Sequence, residues 1–373
     1  MASLTLRGAE KNTSVNTPEE TDKSEQPEEP YRYAALLPVF SNDRYPPLEP
    51  FQHVDPGHRA LAHPNPRSFL DSATSVVELT PNLGTEVHGL NLASLTSDER
   101  DQVALEVANF IASGDGTLAG KSIPLRSLLF VLSSQQMCNF FNQHSLHIHP
   151  TSGHPEGFPE IHLVYRDANS SLNFEVDDSI TSTVWHTDVS YELQPPGLTT
   201  LFLLAQPRTG GDTLFTSQVS TLKKLSPAFV AFLKTLKAVH SGVEQAEFSR
   251  SGRRGGVVRR EPVEHVHPIV RRHPVTGEEA LYVNRQFTRR IVGLKKEESE
   301  NILNFLYDHI TKAGDLQARL HWTPNTVVLW DNRVTAHSAV ADYGKDMSKE
   351  RRHGARITPQ AERPIPAWEG LEL

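Results

Sequence analysis

The sequence predicts a mainly β fold of the α+β type, a β-sandwich or barrel with helical insertions. Two observations support this prediction. The chain of 373 residues contains many short strand-like runs separated by turn residues, and only three segments carry helix signals. With 37% hydrophobic residues, a chain of this length can also bury a sizeable core.

The predicted strands are short, and no internal repeat relates them to one another. They cover residues 160–165, 199–204, 212–215, 280–283 and 326–330. Short strands between turn residues, with helices inserted among them, are typical of sandwiches and barrels.

Three helices are predicted from capping signals and from the spacing of apolar residues. Thr96 and Glu99 form a capping box at the start of the first helix. Ser226 is the predicted N-cap of the second helix, with Pro227 at its first position. The third helix covers residues 295 to about 313. Its predicted buried face consists of Ile302, Phe305, Leu306 and His309.

Residues 1–30 are predicted to form a disordered acidic tail. They contain seven acidic and three basic side chains, which together supply half of the chain's net charge of −8. Such a segment cannot bury enough apolar surface to offset the entropy lost on ordering. We therefore expect a single domain over residues 31–373.

Within this domain, two segments are expected to be irregular. Residues 31–80, rich in proline and aromatic residues at the start, are predicted to form an arm packed over the core. Residues near 245–262, which include a run of glycines and arginines, are predicted to form a mobile loop. This loop is either simply solvated or an anion-binding lid.

The composition excludes or disfavours several classes of protein. No run of about 18 apolar residues occurs, which excludes a transmembrane helix, and no secretory signal is expected. Cys138 is the single cysteine, so an intramolecular disulfide and a cysteine-based zinc site are excluded. A chain with a single cysteine is typical of a reducing compartment, so we expect a cytoplasmic location. The acidic net charge argues against a nucleic-acid partner.

The sharpest local signal is a His-x-Asp pair, His186 and Asp188, which directly follows a β-branched run. On a strand, residues two apart point to the same face. An imidazole and a carboxylate would then supply two of the three ligands of a 2-His-1-carboxylate iron site. His337 follows the predicted strand 326–330 and is the candidate third ligand. The alternative is a core histidine at a strand end.

Two arginines near the end of the chain, Arg352 and Arg356, lie four residues apart. On a strand both would face the same side, toward a cavity. Guanidinium groups bind carboxylates and sulfonates in a bidentate manner. A buried pair of arginines would be costly without an anionic ligand. The alternative is a basic edge strand on the surface.

Taken together, the motifs resemble those of the TauD/TfdA family of Fe(II)- and 2-oxoglutarate-dependent dioxygenases, and most closely the fungal sulfonate dioxygenases of the taurine type. The matches occur in the family's order between residues 81 and 357. They are Leu146-His-Ile-His-Pro150, Trp185-His-Thr-Asp188, Thr209-Gly-Gly-Asp-Thr-Leu-Phe-Thr-Ser217, His267-Pro268, Val283-Asn284, Phe287-Thr-Arg-Arg-Ile291, and Trp330-Asp-Asn-Arg333 with His337.

The resemblance implies a double-stranded β-helix, or jelly-roll, core and a set of site residues. Fe(II) would be held by His186, Asp188 and His337. The cosubstrate 2-oxoglutarate would be bound by Thr213 and Arg352, with dioxygen as the oxidant. Trp330 and Asn332 would support the metal ligands. The substrate side would consist of Arg356, close enough to touch both 2-oxoglutarate and substrate, together with His149, Val189 and Phe287.

The reaction implied by the resemblance is hydroxylation of an alkyl sulfonate or sulfate ester beside the sulfur-bearing group. The products would be an aldehyde with sulfite or sulfate, and succinate with carbon dioxide. Ser152 stands where taurine dioxygenase has an aromatic residue that touches taurine, which argues for a substrate other than taurine. Residues 114–131 also depart from the family pattern, through either an insertion or an error in the gene model.

Several alternatives remain open at the level of sequence. The same chemistry could act on a carboxylate, such as an aryloxyacetate or a secondary metabolite. A non-catalytic jelly-roll binding protein would leave the three metal ligands, Thr213 and Arg352 without a role. A zinc hydrolase would leave Thr213 and Arg352 unexplained. A homo-oligomer, either a dimer or a tetramer, is compatible with the sequence.

Overall fold

The structure, a computed structural model, describes residues 31–109, 117–121, 146–167, 181, 183–252, 256–324, 326–343 and 351–373. The chain divides into two units, Met1–Ala34 and Ala35–Leu373. The predicted tail at 1–30 lies outside the described residues, as does all of the 114–131 segment except for one strand. The boundary at residue 30 stays a prediction.

The described residues contain six α-helices and sixteen β-strands. The helices are α1 (Gly57–Ala60), α2 (Ser97–Asn109), α3 (Gln218–Lys223), α4 (Pro227–Lys234), α5 (Val243–Arg250) and α6 (Lys296–Lys312). The strands are β1 (Ser75–Glu78), β2 (Thr85–His88), β3 (Thr117–Lys121), β4 (His162–Arg166), β5 (Leu198–Ala205), β6 (Thr213–Ser217), β7 (Lys237–Ser241), β8 (Glu264–Pro268), β9 (Val270–Arg272), β10 (Glu279–Leu281), β11 (Thr288–Ile291), β12 (Gln317–Leu320), β13 (Thr326–Asp331), β14 (Thr335–Ala339), β15 (Arg352–Ile357) and β16 (Ile365–Pro366). None of these helices has the length and apolar character needed to cross a membrane.

The strands form one large sheet and three small ones. The large sheet has the order β1-β2-β3-β13-β5-β15-β4, and the small sheets are β12-β6-β14, β11-β7-β8 and β10-β9-β16. All described pairs are antiparallel except β2 with β3. The late strands β13 and β15 flank the earlier β5, so the chain crosses over repeatedly. The predicted mainly β fold with helical insertions is confirmed, and the described strands form open sheets rather than a barrel.

One hydrophobic core cluster lies between the large sheet and the small sheet β12-β6-β14. Leu201 and Val328 from the large sheet belong to one buried cluster with Phe215 and Leu320 from the small sheet. Trp330, two residues after Val328, belongs to the same cluster and is fully buried. Alternate residues of a strand face one side, so each strand contributes every second side chain to this core.

The predicted elements agree with the observed ones to within two residues for all five strands. The capping box of α2 is confirmed, because the backbone N–H of Thr96 donates to Glu99 (2.7 Å) and that of Glu99 to Thr96 Oγ1 (3.2 Å). α4 begins at Pro227 as predicted, but the Ser226 side chain makes no capping hydrogen bond.

The predicted face of α6 is confirmed at Leu306, and Ile302 packs partly buried against the same core cluster, but Phe305 lies outside the buried face. The buried residues of this helix are Ser299, Leu303, Leu306, Tyr307 and Ile310. Half of the Phe305 surface is exposed, and the Phe305 ring instead packs edge-on against Phe229 of α4, with ring centroids 5.6 Å apart. The helix therefore faces the core with a stripe of residues next to the predicted one. The spacing of apolar residues alone does not distinguish these two neighbouring stripes.

Both segments predicted to be irregular contain more regular structure than expected. The arm at 31–80 includes α1 and β1, and β1 forms an edge of the large sheet. The predicted mobile loop near 245–262 is helical as far as Arg250, where α5 ends. Arg259 and Arg260 are buried, because the guanidinium of each donates to backbone carbonyls of the 148–152 segment. A fully solvated loop is therefore wrong for these residues, while a lid function stays a prediction.

A buried network of charged side chains anchors the turn between β13 and β14. Arg333 donates to Asp331 (Nη2–Oδ2, 2.5 Å), to Asp55 of the arm (2.6 Å) and to Glu362 (3.2 Å). His273 Nε2 lies 3.0 Å from the same Asp331 carboxylate. Burial raises the pKa of Asp331, but Arg333 and His273 outweigh this and hold it well below its usual range. These buried charges thus hold the turn in place, and removing any one of them would leave its partners buried without a counter-charge and destabilise the protein.

Replacing Arg333 by Met should destabilise the protein by about 3–5 kcal/mol, because three carboxylates would lose their buried cation. Chemical denaturation measures this change. Arg272→Met is the matched control, since the Arg272 side chain is 40% exposed and its ion pair, with the exposed Glu369 at 3.6 Å, is open to solvent. It should cost less than about 1 kcal/mol. Similar losses in both variants would contradict the importance of the network.

Candidate metal centre and cavity

Two imidazoles lie side by side because the backbone pairs their residues directly. The His186 N–H donates to the His337 carbonyl (3.0 Å), and the His337 N–H donates to the His186 carbonyl (2.9 Å). Two residues that exchange both backbone hydrogen bonds in this way form a hydrogen-bonded pair of an antiparallel ladder. This pairing sets the two ring centroids 4.3 Å apart. His337 belongs to β14, whereas His186 forms an isolated bridge.

The prediction that His186 and Asp188 lie on one strand is wrong. Their side chains nevertheless converge, as that prediction required. After His186 the backbone enters a turn at 188–190, where Val189 has a positive φ of 38°. The turn brings Asp188 back toward both histidines. Its Oδ1 lies 3.6 Å from the Nε2 of His186 and 3.6 Å from the Nε2 of His337.

Asn332 holds the backbone of Asp188 from both sides. Its Oδ1 accepts the Asp188 N–H (2.8 Å), and its Nδ2 donates to the Asp188 carbonyl (3.1 Å). The ring of Trp330 packs beside His337, with centroids 5.0 Å apart. These contacts agree with the supporting roles expected for Asn332 and Trp330.

The three side chains fit a divalent metal ion. One ligand atom from each of His186, Asp188 and His337 lies within 4.8 Å of the others. Asp188 Oδ2 is buried and has no hydrogen-bond partner among the described residues. His186 Nδ1 is 2.9 Å from the Val184 carbonyl and donates to it, which leaves the Nε2 lone pair for a ligand. Two imidazoles and one carboxylate are the donor set of non-haem iron(II) sites.

The charges around the cluster favour the ligating forms of its side chains. Burial, with repulsion from His186 and from Arg356, lowers the pKa of His337 to about 3, so its imidazole is neutral. Burial raises the pKa of Asp188, but Arg356 and the two histidines outweigh this and keep it well below its usual range. Asp188 is therefore ionised.

A cavity beside this cluster brings together the nine residues that the sequence analysis assigns to metal, cosubstrate or substrate binding. Its empty space, including the open mouth, is about 760 Å³. It lies between the large sheet and strands β6 and β14. The predicted residues in its lining are His149, His186, Asp188, Val189, Thr213, Phe287, His337, Arg352 and Arg356. Their individual roles stay predictions.

Arg352 and Arg356 both lie on β15 and face the cavity, as their spacing predicts. Arg352 donates to the Thr213 hydroxyl (3.2 Å) and to the Gly211 carbonyl (3.1 Å), and no carboxylate among the described residues pairs with it. Burial lowers the pKa of the Arg352 guanidinium from its usual range. Arg356 forms an ion pair with Asp188.

His162 is a cavity residue that the sequence analysis missed. It stands opposite Arg356 in the pairing of β4 with β15, and its Nδ1 lies 2.6 Å from Arg356 Nη2. The ring of His149 packs on it, with centroids 4.5 Å apart. His162 alternates with Val164, another lining residue, within the predicted strand 160–165. That alternation was the available signal.

The neutral form of His149 presents a donor. Its Nδ1 accepts the backbone N–H groups of Thr151 (3.2 Å) and Ser152 (3.1 Å). The ring hydrogen must then lie on Nε2.

Two glutamines, Gln245 and Gln286, also line the cavity and were missed. Gln245 belongs to α5, and Gln286 lies in the loop before β11. No motif marks them, because their position depends on how these two segments pack.

The Val283-Asn284 motif explains how the Gln286 loop reaches the metal cluster. Asn284 Nδ2 donates to the hydroxyls of Thr187 (3.1 Å) and Ser190 (3.0 Å), and its Oδ1 accepts the Phe287 N–H (2.9 Å). One side chain thus links the turn that carries Asp188 to the loop that carries Phe287.

Comparison with known proteins agrees with this site. The family model described as "Taurine catabolism dioxygenase TauD, TfdA family" matches residues 75–358. An alpha-ketoglutarate-dependent sulfonate dioxygenase of Saccharomyces cerevisiae is 42% identical over 340 residues, which cover 90% of this chain and 79% of that protein. The alpha-ketoglutarate-dependent dioxygenase cnsP of Penicillium expansum is 40% identical over 87% of this chain and 86% of its own length.

A solved structure shows the same fold. The taurine dioxygenase of Burkholderia xenovorans is 29% identical, with a TM-score of 0.60, and the match covers 79% of this chain and 91% of that one. The chain belongs to the TauD/TfdA family of dioxygenases. The predicted family, its jelly-roll fold, the dioxygenase class and the set of iron(II), 2-oxoglutarate and dioxygen are confirmed.

Replacing Asp188 by Ala should weaken divalent-metal binding by more than about 100-fold, since changes to the hydrogen-bond partners of metal ligands already cost 10–100-fold. Anaerobic titration with iron(II), followed by metal analysis, measures it. Asp188→Asn keeps the side-chain shape and separates loss of charge from loss of fold. The matched control is Asp315→Ala on the surface, which should bind normally. Undiminished binding by Asp188→Ala would contradict the assignment.

Proposed function

We propose that the enzyme hydroxylates an alkyl sulfonate or sulfate ester at the carbon next to the sulfur-bearing group. The hydroxylated product then separates into an aldehyde and sulfite, or sulfate from a sulfate ester. In the same turnover 2-oxoglutarate and dioxygen yield succinate and carbon dioxide. The iron(II), when bound, supplies the activation of dioxygen, and the protein supplies orientation and exclusion of water.

The observation that supports this proposal most directly is the pair of arginines on β15. Both guanidinium groups line the cavity that contains the metal cluster. Arg352 has no carboxylate partner in the described part of the chain, and the partner of Arg356 is Asp188, the proposed metal ligand. Permanent charges in a buried cavity favour anions. Two such charges suit two anions, the cosubstrate and the substrate.

Arg352 and Thr213 are the proposed anchors for the distal carboxylate of 2-oxoglutarate. Thr213 Oγ1 accepts hydrogen bonds from Trp322 Nε1 (3.0 Å) and from Arg352 Nη2 (3.2 Å). A hydroxyl that accepts twice still has its own hydrogen to donate. Arg352 and Thr213 together would then offer a charge-assisted pair of donors to one carboxylate.

Arg356, His162 and His149 form the proposed site for the substrate's anionic group. Arg356 Nη1 contacts Asp188, so an anion on this guanidinium lies close to the metal ligands. Val189 and Phe287 form the apolar side of the same cavity. A sulfonate held by Arg356 would therefore direct its adjacent carbon toward the metal centre, which is the geometry that positioning requires.

The relatives support a sulfonate without excluding the carboxylate alternative. The yeast relative is named for sulfonates, whereas the name of the Penicillium expansum relative gives no substrate. A carboxylate could bind Arg356 in the same manner, so the aryloxyacetate or secondary-metabolite alternative is an outcome of the test below. A zinc hydrolase would leave the paired donors Arg352 and Thr213 without a ligand.

The remaining expectations concern the setting of the enzyme. A cytoplasmic location rests on the single Cys138 and stays a prediction. A homo-oligomeric state, dimer or tetramer, also stays a prediction.

Replacing Arg352 by Ala should weaken 2-oxoglutarate binding by roughly 30- to several-thousand-fold. The reason is that losing one side of a buried charge pair costs about 2–5 kcal/mol. Calorimetric titration with 2-oxoglutarate measures it. Arg351→Ala, at the preceding and partly exposed position, is the matched control. Equal affinities in the two variants would assign the anchor to another residue.

Substrate-dependent succinate production tests the anionic substrate. A panel should contain alkyl sulfonates, alkyl sulfates, carboxylates and a neutral sulfonamide of matched size. We expect kcat/KM for the best sulfonate or sulfate to exceed that of the neutral analogue by about 30-fold or more. Equal turnover of the neutral analogue would refute the proposal, and a preference for carboxylates would establish the alternative.

A further inference from the structure

A buried carboxamide in the cavity has an acceptor that no group in the described part of the chain satisfies. Gln286 is 5% exposed and lines the cavity. Its Oε1 has no hydrogen-bond partner among the described residues. An unsatisfied buried acceptor typically costs about 1–3 kcal/mol, so a ligand that donates to it is favoured.

A second carboxamide lines the same cavity and is oriented by a neighbour. The Tyr191 hydroxyl donates to Gln245 Oε1 (2.8 Å). This bond fixes the direction of the amide oxygen, and Gln245, which lines the cavity, keeps the hydrogens of its Nε2 as donors. Gln245 is also only 5% exposed. The pair therefore offers an unsatisfied acceptor, Gln286 Oε1, together with amide donors.

An arginine outside the cavity ties together the two segments that carry these amides. Arg289 Nη2 donates to the Gln286 carbonyl (2.8 Å), and Arg289 Nε lies 2.5 Å from the carboxylate of Glu244, the residue before Gln245. This link fixes the α5 segment against the loop before β11. It also pairs the charge of Arg289 with that of Glu244.

The amides lie on the side of the cavity formed by its apolar residues. Phe287 follows Gln286, and its ring packs against the ring of Tyr191, with centroids 5.0 Å apart. Val189 belongs to the same buried cluster. The anion-binding group of Arg356, His162 and His149 makes no hydrogen bond with either glutamine among the described contacts.

We infer that Gln286 and Gln245 form a second polar subsite, which recognises an uncharged hydrogen-bonding group, a hydroxyl or an amide, on the substrate. The inference rests on the proposed function and narrows it. The substrate is bifunctional, with its sulfonate or sulfate on Arg356 and a neutral polar group on the glutamines. A hydroxyl both donates and accepts and so satisfies both carboxamides, whereas an ammonium cannot accept and a methyl group can do neither.

Three sulfonates of nearly equal size test this subsite: hydroxypropanesulfonate, aminopropanesulfonate and butanesulfonate. In the intact enzyme with iron(II) and 2-oxoglutarate, kcat/KM for hydroxypropanesulfonate should exceed that for butanesulfonate by about tenfold or more. Anaerobic calorimetry should show the same order of Kd values without turnover. Aminopropanesulfonate should fall between the two, because it satisfies only Gln286.

The variant Gln286→Leu keeps the volume but removes the acceptor. It should lower the ratio of hydroxypropanesulfonate to butanesulfonate kcat/KM by about tenfold, and Gln245→Leu should act in the same direction. Gln52→Leu makes the same change at an exposed site and should leave the ratio unaltered. Thermal midpoints of all variants show whether the fold is retained.

The outcomes separate this inference from the proposed function. If butanesulfonate is turned over as efficiently as hydroxypropanesulfonate, or if Gln286→Leu leaves the ratio unchanged, the second subsite is refuted and sulfonate oxidation stands. If none of the sulfonates or the alkyl sulfates supports succinate production, the proposed function itself fails.

Discussion

The reciprocal backbone hydrogen bonds between His186 and His337 are the constraint on which the rest of the site depends. They place two imidazoles next to each other without relying on side-chain flexibility. One member of the pair belongs to β14, and the other leads directly into the turn that carries Asp188. Any movement of β14 against this bridge would therefore separate the proposed ligands.

The surrounding contacts preserve this backbone pairing. Asn332 clamps the backbone of Asp188, and its neighbours Asp331 and Arg333 belong to the buried ionic network. Through Asp55 that network reaches the arm near the start of the domain. The stability of the core and the geometry of the metal centre are thus joined in one short turn between β13 and β14.

Much of the site could be predicted because its key residues stand in short motifs. His186 and Asp188 are two apart, Arg352 and Arg356 are four apart, and the distant His337 follows a predicted strand and its turn. The remaining features depend on packing. His162 reaches Arg356 only through the register of β4 against β15.

Other features of the fold were predicted less well for the same reason. The buried stripe of α6 depends on which neighbours it meets, so Phe305 was misplaced. The turn at Asp188 requires a positive φ at Val189. Because β-branched residues rarely adopt positive φ, the sequence does not predict this turn.

The register of β15 has a consequence for how enzymes of this design can diversify. Side chains alternate along a strand, so slipping β15 by one residue would turn Arg352 and Arg356 out of the cavity together. An insertion or deletion near this strand would then disrupt the proposed sites for the cosubstrate and for the substrate anion at the same time. The glutamines, in contrast, lie on a separate helix and loop. Single changes at this proposed subsite would alter which uncharged substrate group is accepted and would leave the proposed metal and anion sites intact. New substrate ranges should therefore arise by substitutions in those two segments.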